Sequence, residues 1–206
     1  MMMRQDKKSS TPTDPRILRT RQLIRDAFVD LLQEMDIEKL SVNRIAERAT
    51  INRVTFYLHY RDITDMMEKM ADEMIEQIEG IVQDHGALFE NEANEDEPWP
   101  VLVKLLEHFA ENSKFYKVVL ASKRTPIFTE GLLKLLSKLV TAKIEKMESH
   151  SPLANVGIHK EIAIWYGSSA LIGTIVAWLR SDMPYSPHFL AKQFSLIRSH
   201  SYKDLI

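Results

Sequence analysis

Apolar residues recur at helical spacing along most of the chain. Asp14 followed by Pro15 predicts the start of a first helix, because Asp is a good N-cap and Pro fits the first helical turn. Its buried face is predicted where apolar residues repeat every three or four positions: Ile24, Ala27, Phe28, Leu31, Leu32 and Met35. Ser41 predicts the cap of a second, short helix, and Asn52 predicts the cap of a third over about residues 53–60.

The remainder of the chain also has the pattern of helices rather than strands. A fourth, long helix is predicted from Asp62 or Thr64 to about Asp84. Further helices are predicted over about residues 100–112, 114–122, 126–148, 158–180 and 187–199. The acidic residues 90–97 and the segment 149–157 are predicted loops. Together these patterns predict an all-α fold.

One predicted helix has a long uncharged stretch, because the 18 residues from Ile162 to Leu179 include no charged side chain. That length is at the lower limit for crossing a membrane. The stretch is only moderately apolar, so a helix buried on all sides of a bundle or dimer is favoured over a membrane span. The small residues of this helix would let a second helix approach closely and mark a predicted dimer interface: Ala163, Gly167, Ser169 and Gly173. The alternative is a central helix inside one protomer.

Composition narrows the function classes. The 206 residues include no cysteine, which excludes a disulfide framework, a thiolate nucleophile and Cys-ligated zinc. The seven histidines show no metal-ligand spacing and no catalytic or phosphate-loop motif occurs, so the sequence predicts no metal, no cofactor and no enzymatic activity. The chain begins without the apolar core of a secretory signal, and we therefore expect a cytoplasmic protein without a membrane segment.

Charge is distributed unevenly along the chain. Residues 1–62 contain 12 Lys and Arg against 9 Asp and Glu, a net charge of +3, whereas residues 63–206 contain 15 against 20, a net charge of −5. A slightly basic head on an acidic body suits a head that meets phosphate groups. Residues 1–13 are polar and lack periodicity, and they are predicted to form a flexible basic arm.

Two short helices around a turn, preceded by a supporting helix, follow the plan of a helix-turn-helix domain. In that plan the second short helix faces the major groove of DNA while its opposite side packs on the rest of the domain. Phe56 and Tyr60 are spaced to supply the packed side, and the residues that then point away from the core are Arg53, Val54, Thr55 and Tyr57.

The predicted partner is therefore double-stranded DNA. Arg side chains suit guanine or phosphate and Asn suits adenine, while Tyr and His can bond to phosphate oxygens. The N-terminus of the third helix adds oriented N–H groups. The predicted DNA-binding residues are Asn43, Arg44, Asn52, Arg53, Thr55, Tyr57, His59 and Tyr60.

Residues 41–49, SVNRIAERA, and residues 55–60, TFYLHY, resemble the DNA-binding head of TetR/AcrR-type transcriptional regulators. The resemblance implies an all-helical homodimer in which each head binds one half of a near-palindromic site. It also implies a C-terminal body that dimerises through a four-helix bundle and often binds a small effector. Residues 107–116, and Trp178 with residues 183–187, resemble a C-terminal subclass that includes partner-dependent regulators and activators.

The chain departs from that family pattern at three positions. Thr50 stands where the family usually has Gly, and Thr costs more than Gly if the residue needs a positive φ. Val54 stands where a small residue is usual, and Ile63 stands where a phosphate-binding Lys is common. The basic arm could supply compensating contacts in the minor groove through Arg4, Lys7 and Lys8.

An effector pocket in the body is a further prediction, with ordinary core packing as the alternative. Its candidate lining residues are Met66, Met70, His108, Phe109, Phe115, Trp165 and Tyr166.

The sequence thus predicts a DNA-binding domain over residues 14–62 and a regulatory and dimerisation domain over residues 63–206. The predicted function is that of a homodimeric transcriptional regulator under the control of a small effector or a protein partner. Repression is the predicted mode of regulation. The alternative is a co-regulator or activator with weak DNA affinity of its own that works through a protein partner.

Overall fold

The computed structural model describes residues 14–85, 98–120, 125–147 and 158–203. These residues form α1 (Pro15–Glu34), α2 (Val42–Arg48), α3 (Arg53–Tyr57), α4 (Ile63–His85), α5 (Pro100–Glu111), α6 (Ser113–Val119), α7 (Pro126–Met147), α8 (Lys160–Arg180) and α9 (Pro187–Lys203). A short 3-10 turn, Ile37–Lys39, lies between α1 and α2, and no strand occurs within these ranges. The all-α prediction is confirmed for them. The predicted arm 1–13 and the predicted loops 90–97 and 149–157 lie outside the described residues.

Three side-chain caps set where the first three helices begin. The carboxylate of Asp14 accepts from the Arg16 N–H at 2.9 Å, and the Ser41 hydroxyl accepts from the Arg44 N–H at 3.3 Å. Asn52 accepts from the Val54 N–H at 2.8 Å. Each bond satisfies one of the N–H groups that a helix start leaves without a partner. The predicted caps are confirmed, and they fix the direction of α2 and α3 relative to the turn between them.

Head and body share one hydrophobic core. In the head, α1 packs on α2 and α2 packs on α3. In the body, α4 lies between α5 and α7, α7 packs on α8, and α5 packs on α9. The short helix α6 touches α1 of the head as well as α5, α7 and α8 of the body. The buried cluster runs without a break from Ile24 in α1 to Ala191 in α9, so the two parts are packed together rather than joined by a linker.

The uncharged helix α8 is only partly covered by its own protomer. In the described ranges it is the one helix long and apolar enough to cross a membrane by length and composition, with a mean hydropathy of 1.6 over an 18-residue window, of which 33% is buried. Core helices of other proteins meet the same criterion. Ile162, Trp165 and Tyr166 project into solvent on the side away from α7. Burial on every side, as expected from the sequence, is therefore not reached within one protomer.

The turn between α2 and α3 contains a strained residue. Thr50 has φ of +55°, in the left-handed region that β-branched side chains rarely adopt. Its N–H bonds to the Glu47 carbonyl at 3.1 Å, and the Ile51 N–H bonds to the Ala46 carbonyl at 2.9 Å. These two bonds close the end of α2 and require the reversal that Gly makes easily. The conformational cost expected from the sequence at Thr50 is thus present.

Candidate nucleic-acid interface

α3 has one buried side and one side open to solvent. Phe56 is fully buried and packs near Tyr60, with ring centroids 5.6 Å apart. Val54, Tyr57 and Leu58 are exposed on the other side, at 66%, 46% and 78% of their surface. α3 ends at Tyr57, earlier than predicted, and turn hydrogen bonds carry the backbone on to Tyr60. The exposed side is the surface that a helix-turn-helix domain turns toward the major groove.

Arg53 and Tyr57 form a pair on this exposed side. The Arg53 Nη2 donates to the Tyr57 hydroxyl at 3.0 Å, and the guanidinium carbon lies 5.4 Å from the ring centroid. The two residues are four positions apart on one helix face, where side chains meet. Because the acceptor is a phenol and not a carboxylate, the positive charge of Arg53 is oriented without being neutralised. It remains available for guanine or phosphate.

α2 contributes two exposed polar side chains beside α3. Asn43 and Arg44 both lie in exposed positions. The Arg44 guanidinium bonds to the sulfur of Met35, with Nη1 4.0 Å from Sδ, and forms no ion pair within the described part of the chain. Arg48 differs, because its two terminal nitrogens donate to both carboxylate oxygens of Glu34 at 2.9 and 2.7 Å. Arg48 is therefore committed to an ion pair, whereas Arg44 retains the freedom to contact DNA.

The remaining predicted contacts are less exposed or already bonded. The Asn52 oxygen is used by the cap of α3, which leaves its amide nitrogen as a donor. Thr55 and His59 are half-buried. Burial lowers the pKa of His59 below its usual value, and the nearby charges of Arg21 and Lys69 lower it further. These effects favour the neutral imidazole in the free protein, and either form of the ring can donate an N–H to a phosphate oxygen.

Tyr60 does not belong to this surface. Its side chain is 2% exposed and lies in the shared core, and burial raises the pKa of its hydroxyl to about 12. The prediction that Tyr60 contacts DNA is therefore wrong. Its spacing of four residues from Phe56 places both rings on the buried side of the turn.

At the start of α4, two cationic side chains near α3 are held in ion pairs with one carboxylate. Arg61 donates to Asp65 from its backbone N–H at 2.9 Å and from Nε at 3.0 Å, and Lys69 donates to Asp65 at 3.0 Å. The backbone hydrogen bond from Arg61 and the Lys69 ammonium lower the pKa of Asp65 to about 2. The Lys69 ammonium also bonds to the His59 carbonyl at 3.1 Å. This cluster fixes the angle between the head and α4, and Ile63 adds no charge there.

The predicted effector residues do not form one pocket. Met66, Met70, Phe109 and Phe115 are packed in the core, whereas His108 is half-buried with Nε2 2.6 Å from the Tyr116 hydroxyl. Trp165 and Tyr166 are 65% and 75% exposed on α8. The prediction that these two line a pocket with the others is wrong for one protomer, because α8 turns them away from the core.

The small residues of α8 fall into two groups. A Cβ atom added to Gly167 would lie 3.6 Å from Val140 of α7, so Gly167 allows close packing within the protomer. Gly173 has no such neighbour within 4 Å and Ser169 is exposed, while Ala163 is half-buried. Gly173 and Ser169 therefore lie on the open side of the helix.

Sequence reasoning missed the contacts between head and body. The Arg25 guanidinium of α1 lies 3.8 Å from the ring centroid of Phe115 in α6. Lys114 pairs with Asp30, and Arg21 pairs with Glu73 at 3.2 Å. Burial lowers the pKa of Arg25, although nearby Tyr116 and Glu73 oppose this. In the sequence, the position of Arg25 beside the apolar face of α1 indicates that its side chain lies near the core. Nothing in the sequence indicates that α6 packs over it.

Comparisons with known proteins agree with this arrangement. A family model described as "Bacterial regulatory proteins, tetR family" matches residues 24–70, which contain α2 and α3. A second, described as "Transcriptional regulator C-terminal region", matches residues 96–199, just over half of the chain. In Bacillus subtilis (strain 168), the uncharacterized HTH-type transcriptional regulator YxbF is 24% identical over 184 residues. That alignment covers 88% of this chain and 45% of YxbF, so the chain spans less than half of that relative's length.

Solved structures show the same fold. The fatty acid degradation regulator FadR from Bacillus halodurans is 18% identical, with a TM-score of 0.63 over 93% of this chain and 96% of FadR. The dihydroxyacetone kinase operon activator DhaS is 20% identical, with a TM-score of 0.56 over 87% of this chain and 95% of DhaS. At sequence identities of 18% and 20%, these similarities show a shared fold and nothing further. The two family matches, taken with the exposed α3 on a buried support, show that the chain belongs to the tetR family of bacterial regulatory proteins.

Proposed function

We propose that this regulator binds a near-palindromic operator as a homodimer and represses transcription by occupying it. The observation that carries the proposal is the oriented Arg53 on an exposed recognition helix. Arg53 is one of three arginines in residues 48–61, which include no acidic residue, and unlike Arg48 and Arg61 it is not held by a carboxylate. A surface of that composition attracts the phosphates of DNA, and α3 then lies where its side chains can contact the base edges. Such a protein acts in the cytoplasm, where bacterial DNA lies, and needs no cofactor.

The side chains of the head divide into two roles. Arg53 contacts guanine, and Asn43, Arg44 and Thr55 contact bases or the phosphates beside them. Tyr57 bonds to phosphate and holds Arg53 in place. His59 and the amide nitrogen of Asn52 donate to phosphate oxygens. Residues 14–62 form the DNA-binding unit in this proposal, and residues 63–206 set the distance between two such units.

The open face of α8 is the proposed dimer interface. Ile162, Trp165 and Tyr166 supply apolar area, and Ser169 and Gly173 lie on the same helix without bulky side chains. A second copy of α8 and α9 would cover these groups in a four-helix bundle. Two heads related by a two-fold axis then fit half-sites separated by about one helical turn of DNA or a multiple.

Selection of bound sequences from a random duplex pool tests the proposal. We expect enrichment of a near-palindrome by the full chain. Arg53→Ala is expected to lower affinity for the enriched duplex by roughly 1–3 kcal/mol, as for the loss of a forked arginine contact. Lys134→Ala, at an exposed position on α7, serves as the control and should bind as the unaltered protein does. Enrichment of no sequence by a folded dimer would contradict the proposal.

A co-regulator with weak DNA affinity is the second candidate. The pairing of Arg48 with Glu34, and of Arg61 and Lys69 with Asp65, supports it, because these pairs neutralise cations near α3. Sequence preference and salt dependence, measured together, distinguish the two functions. A protein that neutralises six or more phosphates loses about 10³-fold or more in affinity between 50 and 200 mM salt. A co-regulator would show weak binding that is independent of sequence.

We further propose that an effector or a protein partner acts on the body and that α6 carries its effect to α1. The contacts of Arg25 with Phe115 and of Asp30 with Lys114 support this route. A ligand changes DNA affinity only as far as it prefers one arrangement of the body. Titrations in which no metabolite and no protein changes DNA affinity would count against regulation of this kind.

A further inference from the structure

The exposed side of α3 carries more apolar surface than a solvated helix needs. Val54, Tyr57 and Leu58 occupy positions i, i+3 and i+4, so their side chains lie next to one another. Val54 and Leu58 expose 66% and 78% of their surface. Three adjacent exposed apolar side chains, two on α3 and one on the residue that caps its C-terminus, mark a contact surface.

The charges around this surface point to a nucleic acid partner. Arg53 directly precedes Val54, and Arg44 lies exposed on the neighbouring helix α2. Among the described residues neither arginine forms an ion pair with a carboxylate, whereas Arg48 and Arg61 do. A protein partner of ordinary composition is not favoured by such a rim, whereas the phosphates of DNA are. Among the base edges in the major groove, the apolar group is the C5-methyl of thymine.

Val54 is the residue placed best to contact that methyl group. It is the second residue of α3, and the N-terminal residues of a recognition helix contact base edges. The bond from its N–H to the Asn52 side chain holds its backbone, and a β-branched side chain keeps one preferred χ1 in a helix. The methyl groups of Val54 are therefore presented in a fixed direction.

We propose that Val54 selects thymine at one position of each operator half-site by packing on its C5-methyl group. The proposal rests on the proposed function, since it requires sequence-specific binding. It assigns to Val54 a preference for the methyl group itself, which hydrogen bonds to the base do not detect.

Replacement of thymine by uracil in the enriched duplex tests this assignment, because the change removes the methyl group and keeps the base pairing. Each thymine is replaced in turn, in both half-sites together. We expect one position at which the unaltered protein loses about fourfold in affinity per half-site, as for one buried methyl group. Val54→Ala should bind the thymine and uracil duplexes equally at that position. Leu58→Ala removes a similar exposed side chain and should keep the preference.

Three results would overturn the proposal. The first is equal binding of thymine and uracil duplexes by the unaltered protein at every position, which would assign the apolar side of α3 to a protein partner. The second is a thymine preference that persists in Val54→Ala. The third is a preference lost in Leu58→Ala alone, which would make Leu58 the contact. Absence of any enriched duplex is a different failure, that of the proposed function itself.

Discussion

Two helices of this protein, α3 in the head and α8 in the body, leave apolar side chains exposed, but their surroundings differ. Val54, Tyr57 and Leu58 on α3 lie among arginines and amides. Trp165 and Tyr166 on α8 lie in an 18-residue stretch without charge and near small residues. The first surface suits a charged groove with apolar groups at its floor, and the second suits a close helix–helix contact. The comparison teaches that neighbouring charge and size, and not apolarity alone, indicate the partner of an exposed face.

The largest effect is expected at Gly173, where a side chain would block the proposed contact between two copies of α8. Among the described residues, a Cβ atom at Gly173 meets nothing within 4 Å, so Gly173→Leu should leave the fold of the protomer intact. Overpacking costs about 1–3 kcal/mol per site and occurs twice in a dimer, so dimerisation should weaken by roughly 2–6 kcal/mol. Sedimentation equilibrium measures this change.

Gly80→Leu is the matched control for that experiment. Gly80 also lies inside a helix, α4, with nothing within 4 Å of an added Cβ atom. It is not on α8, and its substitution should leave the dimer unchanged. An unchanged dimer in Gly173→Leu, or equal weakening in both variants, would remove α8 as the interface.

A smaller effect is expected on the α3 side of the comparison. Tyr57→Ala removes the proposed phosphate contact together with the hydroxyl that accepts from Arg53. DNA affinity should fall by roughly 1–3 kcal/mol, while the dimer and the unfolding temperature stay as they were. Tyr57→Phe keeps the ring under the guanidinium and loses only the hydroxyl, so its loss should be smaller. Fluorescence titration of a labelled duplex measures both, and unchanged affinity in Tyr57→Ala would exclude this contact.

The connection between the two regions can be tested through Arg25 and Phe115. A double-mutant cycle with Arg25→Met and Phe115→Leu should give a coupling free energy of about 0.5–2 kcal/mol, the range for a cation over an aromatic ring. Urea unfolding of the four proteins measures it. Additive effects would mean that the contact contributes nothing to holding α1 on α6.

The smallest effect is expected from relieving strain at Thr50. Thr50→Gly should raise the free energy of unfolding by about 1 kcal/mol, because a left-handed residue with a Cβ atom costs roughly 1–2 kcal/mol. Thr50→Ala keeps the Cβ atom and should gain much less. Equal stability of the Gly and Ala variants would show that the φ of +55° carries no penalty at this position.

Features that depend on neighbours in sequence could be predicted, and features that depend on packing could not. Asp14, Ser41 and Asn52 cap helices through bonds that span two or three residues, and periodicity alone places them. For Tyr60 the spacing from Phe56 predicts the packed side, which its burial confirms, whereas the added prediction of a DNA contact is wrong because an aromatic residue at a helix edge suits both core and surface. For Trp165 the failure has another cause. An uncharged helix has no polar face, so its sequence does not indicate which side is buried within its own protomer and which side is exposed.

The family resemblance supplied what periodicity could not, and it also had limits. It indicated that Thr50 replaces a Gly, and the positive φ at Thr50 agrees with that reading. It did not indicate that Arg61 and Lys69 are held by Asp65, although both are i,i+4 pairs of the kind that helix spacing alone suggests. The net charge of the head therefore overstates the charge that is free to meet DNA.

The most direct test of the central claim is a titration of the enriched near-palindromic duplex against a scrambled duplex of equal composition, repeated from 50 to 200 mM salt. The account predicts binding of one dimer per duplex and a preference of at least about 10³-fold for the enriched sequence, the lower range for specific DNA-binding proteins. It also predicts a steep loss of affinity with salt for both duplexes. Equal affinity for the two duplexes, measured with a folded dimer, would contradict it.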